Sequence, residues 1–307
     1  MRVGTRLFLL KLALAAVVLA AVLVVMHLLL PGLLGRSGAQ APGDSQALAE
    51  TASVRVAVPR QGGAIRAGPP LAALLAGQVE GLVQGFCSEL GPSLGLQPVS
   101  KKTTVHVLGS HEEAIALAKQ QKLKQHAVHE GAFYDPASLT IAATLKPRPE
   151  LVAVVLNVSA SMLLDRADGG GNAQWSPWLA LGLAACAEQG ALGPGFGRPG
   201  QAARRDAAVV LTLASRAAHV PLHMLVRGGQ ELFHGPLGSA ARREAGLFVL
   251  FLLRAGGRHR EAFLRYVQLE RQPGPVPPGA LEATIGTNLS ELEREWLTFL
   301  QAIARAN

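Results

Sequence analysis

The sequence has few of the residues that build stapled or cofactor-dense modules. Only two cysteines occur in 307 residues, Cys87 and Cys186, which excludes a Cys-rich zinc module and a disulfide-dense scaffold. They leave two readings open: one long-range disulfide, or two separate buried thiols, since Cys186 lies in an apolar run. Aromatic residues are scarce, at 5% against 49% hydrophobic. The core therefore has to be built largely from Ala, Leu and Val, a composition that favours helices. A Walker-type phosphate loop is missing as well. Gly169-Gly170-Gly171 has no Lys-Ser or Lys-Thr after it and reads as a loop, not a phosphate cradle.

The formal charge of +8 and a sequence pI near 10.1 would admit nucleic acid or an anionic membrane as a partner. The arginines, however, are scattered as Arg204-Arg205, Arg242-Arg243 and the looser Arg254, Arg258 and Arg260, without interleaved aromatics. They read as solvated helix faces, and no nucleic-acid partner is expected.

What is present begins at the N-terminus. Residues 12–30 contain one polar side chain, His27, and as a helix would span about 28 Å, close to the hydrocarbon thickness of a bilayer. Arg2, Arg6 and Lys11 precede this run and only Arg36 follows closely, so the positive-inside tendency places residues 1–11 in the cytoplasm and the rest of the chain outside. A cleaved secretory signal is the competing reading, because Ala39-Gln40-Ala41 has the small-residue spacing of a cleavage site. The apolar run is longer than a usual signal core, and Pro42 would follow the cut, so an uncleaved anchor is expected.

Residues 31–70 are rich in Gly, Ala, Ser, Gln and Pro and read as a flexible spacer, interrupted only by the alternation of Val54, Val56 and Val58. A helix is expected over 71–94, a strand over 103–108, and a helix over 112–122 with Ser110 as N-cap and Glu113 completing a capping box. A second strand is expected over 139–143. The apolar run 151–164 has the length of a helix, and beyond Trp178 nearly everything reads as helix. The fold class is thus α+β: after the N-terminal transmembrane helix, a small α+β half over 71–164 precedes a mainly helical half over 165–307.

This order of elements resembles the peptidase-MA-like domains of gluzincin-type zinc metallopeptidases. The resemblance spans residues 71–303. It is carried by Gly131-Ala132-Phe133-Tyr134-Asp135-Pro136 leading into Leu139-Thr140-Ile141, by the apolar helix that follows, by Pro177-Trp178-Leu179-Ala180-Leu181-Gly182-Leu183-Ala184, and by the C-terminal helices with Trp296. In that family the helix carries His-Glu-x-x-His and the Pro-Trp segment a third ligand. Two imidazoles one turn apart face one zinc ion, and a glutamate beside the first activates the metal-bound water. The resemblance places Asn157 at the first histidine, Val158 at the catalytic glutamate, Ser161 at the second histidine and Leu181 at the third ligand. No His or Glu lies anywhere in 151–164, so the loss does not depend on register.

The resemblance thus implies a fold without zinc or catalysis, acting by protein or peptide binding, with Asn157, Ser161 and Leu181 on the floor of a groove that Trp175, Trp178 and Tyr134 could line. Two alternatives stay beside it. A relocated zinc site could use His126 and His129, or His219 and His223; Pro221 disfavours one helix through the latter pair, and no acidic partner is evident nearby. A membrane-associated scaffold is the other alternative.

Overall fold

The chain divides at Asp44/Ser45 into two units, and everything described below belongs to the second. The computed structural model describes residues 46–59, 68–96, 101–125, 132–167, 175–190, 192, 199–254 and 257–306. The expected membrane helix over 12–30 and the histidines His126 and His129 lie outside the described residues.

The sheet starts earlier than the sequence suggests. Strand β1 (Gln46–Glu50) and strand β2 (Val54–Pro59) form an antiparallel hairpin, so the spacer reading of 31–70 and the domain start at 71 are wrong over residues 46–59. Val54, Val56 and Val58 are all fully buried. Their two-residue period is that of a strand with one face on a core, and the Gly-, Ala- and Ser-rich flanks obscured it. The hairpin is tied down by Glu80, whose carboxylate accepts the Thr51 hydroxyl at 2.7 Å and the Ser53 N–H at 2.8 Å.

Glu80 sits on α1 (Pro69–Glu89), which is followed by the single turn α2 (Gly91–Leu94). α1 begins with a proline at its first turn, where the missing N–H costs nothing, and buries Leu71, Leu75, Val79, Leu82 and Phe86. It is the one described helix long and apolar enough to cross a membrane, and half of that stretch is buried inside the protein. Its packing against β1 and β2 makes it a core helix.

Strand β3 (Thr103–Leu108) has the expected bounds and runs parallel to β2. Helix α3 (His111–Gln121) starts as its cap predicts, with the Ser110 side chain accepting the Glu113 N–H at 3.2 Å. The reciprocal bond differs from a capping box: the Glu113 carboxylate takes the N–H of Gly109. Strands β4 (Lys124–Gln125), β5 (Ala132–Asp135) and β6 (Thr140–Thr144) complete a six-stranded sheet in the order β1-β2-β3-β6-β5-β4. β6 is parallel to β3, whereas β5 and β4 are antiparallel additions.

Alternation along these strands separates two cores. Val105, Val107, Ile141, Ala143, Ala132 and Tyr134 belong to the large one, and Phe133 and Ala142 to a small one with Ala114 and Ala118 of α3. Helix α4 (Arg148–Ala167) packs on β5, β6 and α1, joining the large core.

The rest is helical: α5 (Pro177–Glu188), α6 (Gln201–Ala214), α7 (Leu222–Arg227), α8 (Gln230–His234), α9 (Gly238–Arg254), α10 (Gly257–Glu270), α11 (Ala280–Ile285) and α12 (Leu289–Arg305). α4, α5 and residues 245–253 of α9 are buried on nearly all sides, as segments at the centre of a bundle must be. α12 is amphipathic. Its buried stripe of Leu289, Leu292, Trp296, Leu300 and Ile303 closes the bundle. The α+β class follows the sequence reading, with all described strands preceding the run of helices from α4 onward.

Neither cysteine is in a disulfide: Cys186 is fully buried and Cys87 half-buried. Burial pushes both thiols up from their ordinary range, opposed by Arg166 at Cys87 and by Arg254 at Cys186, which disfavours the reactive thiolate. In the native chain a polar maleimide is expected to modify Cys87 slowly and Cys186 not at all, with both reacting in denaturant. Mass analysis of labelled peptides checks this, and an 87–186 disulfide would contradict it.

Candidate functional site

The resemblance directs attention to the face where α4 meets α5. α5 is held at its start by an unusual cap. Ser176 occupies the N-cap, yet its hydroxyl does not bond back to the helix; instead Ser176 Oγ and N–H both donate to the carboxylate of Glu270, at 2.5 and 2.6 Å. Tyr266 OH donates to the same carboxylate. Glu270, the last residue of α10, is fully buried, and its negative charge lies at the positive end of the α5 dipole. The loop-facing end of α5 is thus anchored to a residue 94 positions away.

Along the α4–α5 contact, the four positions that the resemblance assigns to a metal site fall as follows. Asn157 is 2% exposed and its Nδ2 donates to Glu188 Oε2 at 3.0 Å. Val158 is fully buried, while Ser161 and Leu181 are half-buried. The partner of Asn157 is therefore Glu188, two helical turns beyond Leu181. Sequence reasoning missed Glu188. Its position seven residues after Leu181 puts it on the same helix face, which was the available signal.

Polar groups continue from there. Gln189 Nε2 donates to Asp206 Oδ2 of α6 and to the Arg243 carbonyl, both at 3.2 Å. Asp206 is held above the usual carboxylate range by burial, with Arg243, Gln189 and Arg205 pulling the other way and Glu188 adding to the rise. A carboxamide neither moves a proton nor binds zinc well, and a valine does neither. The chemistry these residues support is hydrogen bonding.

The groove residues are placed differently from expectation. Trp178 is fully buried among Phe248, Phe263 and Tyr266, with ring centroids at 5.6, 6.4 and 5.8 Å. It is a packing residue, because α5 turns this face toward α9 and α10. Tyr134 is also buried, and its OH donates to Asp165 Oδ2 of α4 at 2.8 Å. Burial first, then Asp165, pushes that phenol upward. Trp175 is half-buried against the large core. Of the three residues assigned to a groove, none is an exposed aromatic.

His219 and His223 are not a pair. Pro221 caps the start of α7, so His219 precedes the helix and His223 lies on its exposed side. The expectation that His219 lacks an acidic partner is wrong: Glu293 of α12 is 2.7 Å from its Nε2, brought there by tertiary packing across 74 residues. Among the described residues no group of three His, Cys, Asp or Glu is arranged to hold a metal ion.

Comparison with protein-family models, with curated proteins and with solved structures finds no match to this chain. The peptidase-like reading therefore rests on the motif order and on the helix pair just described.

Proposed function

We propose that this chain is a membrane-anchored, peptidase-MA-like domain that has lost catalysis and acts by binding a protein or peptide. In this reading residues 12–30 anchor it as a single-pass protein, with the N-terminus cytoplasmic and the domain from Gln46 onward extracytoplasmic. The observation that carries the proposal is the state of the α4–α5 contact. Val158, at the position of the general base, is fully buried, and Asn157, at that of the first ligand, is engaged with Glu188. A fold outlasts its site in this way because the residues that pack it and the residues that react are different ones. Binding then falls to surfaces around the helix pair, since the aromatic side chains once assigned to a groove are committed to the core.

Zinc in purified residues 45–307, measured by elemental analysis after dialysis without chelator, should be near zero, and an unstructured peptide mixture should survive incubation. About one zinc per chain together with chelator-sensitive cleavage would overturn the proposal in favour of a relocated metal site; His126, His129, His219 and His223 would then be replaced in turn by alanine.

A further inference from the structure

Away from the α4–α5 contact, the segment 215–221 between α6 and α7 is held to the bundle by an unusual set of groups. Ala217 takes a left-handed φ of 51°, a conformation a side-chain-bearing residue adopts at a cost. Val220 N–H donates to both carboxylate oxygens of Glu244 on α9, at 3.3 and 3.1 Å. Glu293 Oε1 on α12 receives His219 Nε2 at 2.7 Å and Leu222 N–H at 3.2 Å.

The cluster is short of protons. Glu244 is 0% exposed, and its carboxylate has one N–H shared between two oxygens. A buried ionised carboxylate needs several donors or a close cation to offset its lost hydration. The charged groups acting on it are His219, Arg243 and Glu293. Of these, Arg243 is drawn toward Asp206 of α6, at 3.8 Å, and Glu293 is a second negative charge. His219 Nδ1 is buried without a hydrogen-bond partner, and its Nε2 is engaged with Glu293, so the imidazole gives Glu244 no hydrogen bond.

We propose that a proton held on Glu244, beside Glu293 and His219, latches residues 215–221 onto α9 and α12, and that the latch loosens as pH rises toward neutrality. The proton removes the repulsion between the two carboxylates and the desolvation cost of ionised Glu244. When it leaves, two negative charges share three N–H donors, and the strained segment is the element free to move away and admit water.

The sign follows from Glu244. Burial pushes its carboxyl up to about 7, with the Val220 N–H, His219 and Arg243 opposing and Glu293 reinforcing. A carboxyl raised in the closed form holds its proton there while the open form has already lost it, so closure is favoured below its ordinary value near 4.5 and weakens as pH climbs to about 7. Above that the dependence levels off.

Hydrogen exchange of the full chain in mild detergent, read by mass spectrometry on peptides covering 215–222 and corrected for intrinsic rates, tests this. Opening should increase by at most roughly 30-fold between about pH 5.5 and about pH 8.5, while peptides from β3 and β6 stay unchanged. Glu244→Gln should flatten the profile at the protected level. A flat wild-type profile, or a Glu244→Gln protein with the wild-type slope, would overturn the proposal. Should Glu244→Gln not fold, Glu293→Gln decides: removing the neighbouring charge must move the midpoint to lower pH, and an unmoved midpoint sinks the latch.

Discussion

Replacing Gly246 by leucine is expected to cost about 3 kcal/mol or more of stability, because there is no room for a side chain where α9 crosses α5. A Cβ on Gly246 would lie 2.9 Å from Ala185 Cβ and 3.0 Å from the Ala185 carbonyl carbon and the Cys186 nitrogen. The same crossing is tight from the other side, where a Cβ on Gly182 would be 3.0 Å from the Ala245 oxygen and from Val249 Cγ2. Most of the obstructing atoms are backbone or lie next to it, so a substituent is accommodated only by moving a whole helix. Helix propensity pulls the other way, since glycine is the poorer helix former by about 1 kcal/mol, but that gain is too small to decide the outcome for leucine. The control is Gly77 on the exposed side of α1, where nothing lies within 4 Å of an added Cβ; Gly77→Ala should stabilise by roughly 0.5–1 kcal/mol. Denaturant titrations of residues 45–307 distinguish the two, and a Gly246→Leu protein as stable as wild type would mean that α5 and α9 do not meet as described.

Trp178→Ala is the second large effect. This indole is the common contact of α5, α9 and α10 and is fully buried. Truncation removes the largest apolar surface at the junction and leaves a cavity, a loss of about 3–5 kcal/mol. For a domain of this size that corresponds to a fall in melting temperature of roughly 6–20 °C. Trp178→Phe should lose less, because it keeps a ring against Phe248. The experiment also discriminates the roles weighed for this residue: a groove-lining tryptophan could be truncated with little change in stability, whereas the packed one cannot. A Trp178→Ala protein that melts with wild type would return Trp178 to the binding surface.

These two positions matter for the proposed function because they fix α5, and α5 carries Leu181 and Glu188 past α4. The proximity of Asn157 to Glu188 depends on how closely α5 sits between α4 and α9, which the glycines set. Its level along its axis depends on the Ser176–Glu270 contact. The helix pair is thus rigidly framed from both ends, a property a binding surface can use as well as a catalytic one.

Elements with local signals were legible in advance. Strand β3 has the bounds expected of it, and α3 begins at the serine that its capping chemistry marks, because a two-residue alternation and a side-chain cap are written within a few consecutive residues. Strand β6 and helix α4 were legible to within a few residues for the same reason. The hairpin of β1 and β2 was not. Its period covers only three valines and is set among residues typical of spacers, so it becomes a strand pair through α1 and β3 beside it. The site divided in the same manner. That Asn157, Val158, Ser161 and Leu181 offer neither His nor Glu is a matter of residue identity. That Asn157 faces Glu188, that Trp178 is core and that His219 has Glu293 for a partner are not.

The sequence by itself therefore determined the α+β class, the helical character of the chain beyond Trp178, the start of the capped helix α3 and the absence of His and Glu from 151–164. The tertiary structure alone decided the order of the six strands, the closeness of α5 to α9, and the pairings Asn157–Glu188, Ser176–Glu270 and Val220–Glu244. The reason is the range of the forces involved. Backbone conformation and capping are settled between residues a few positions apart, whereas a buried carboxylate takes whichever donor the packed helices bring to it, and those donors lie 24 to 94 positions away.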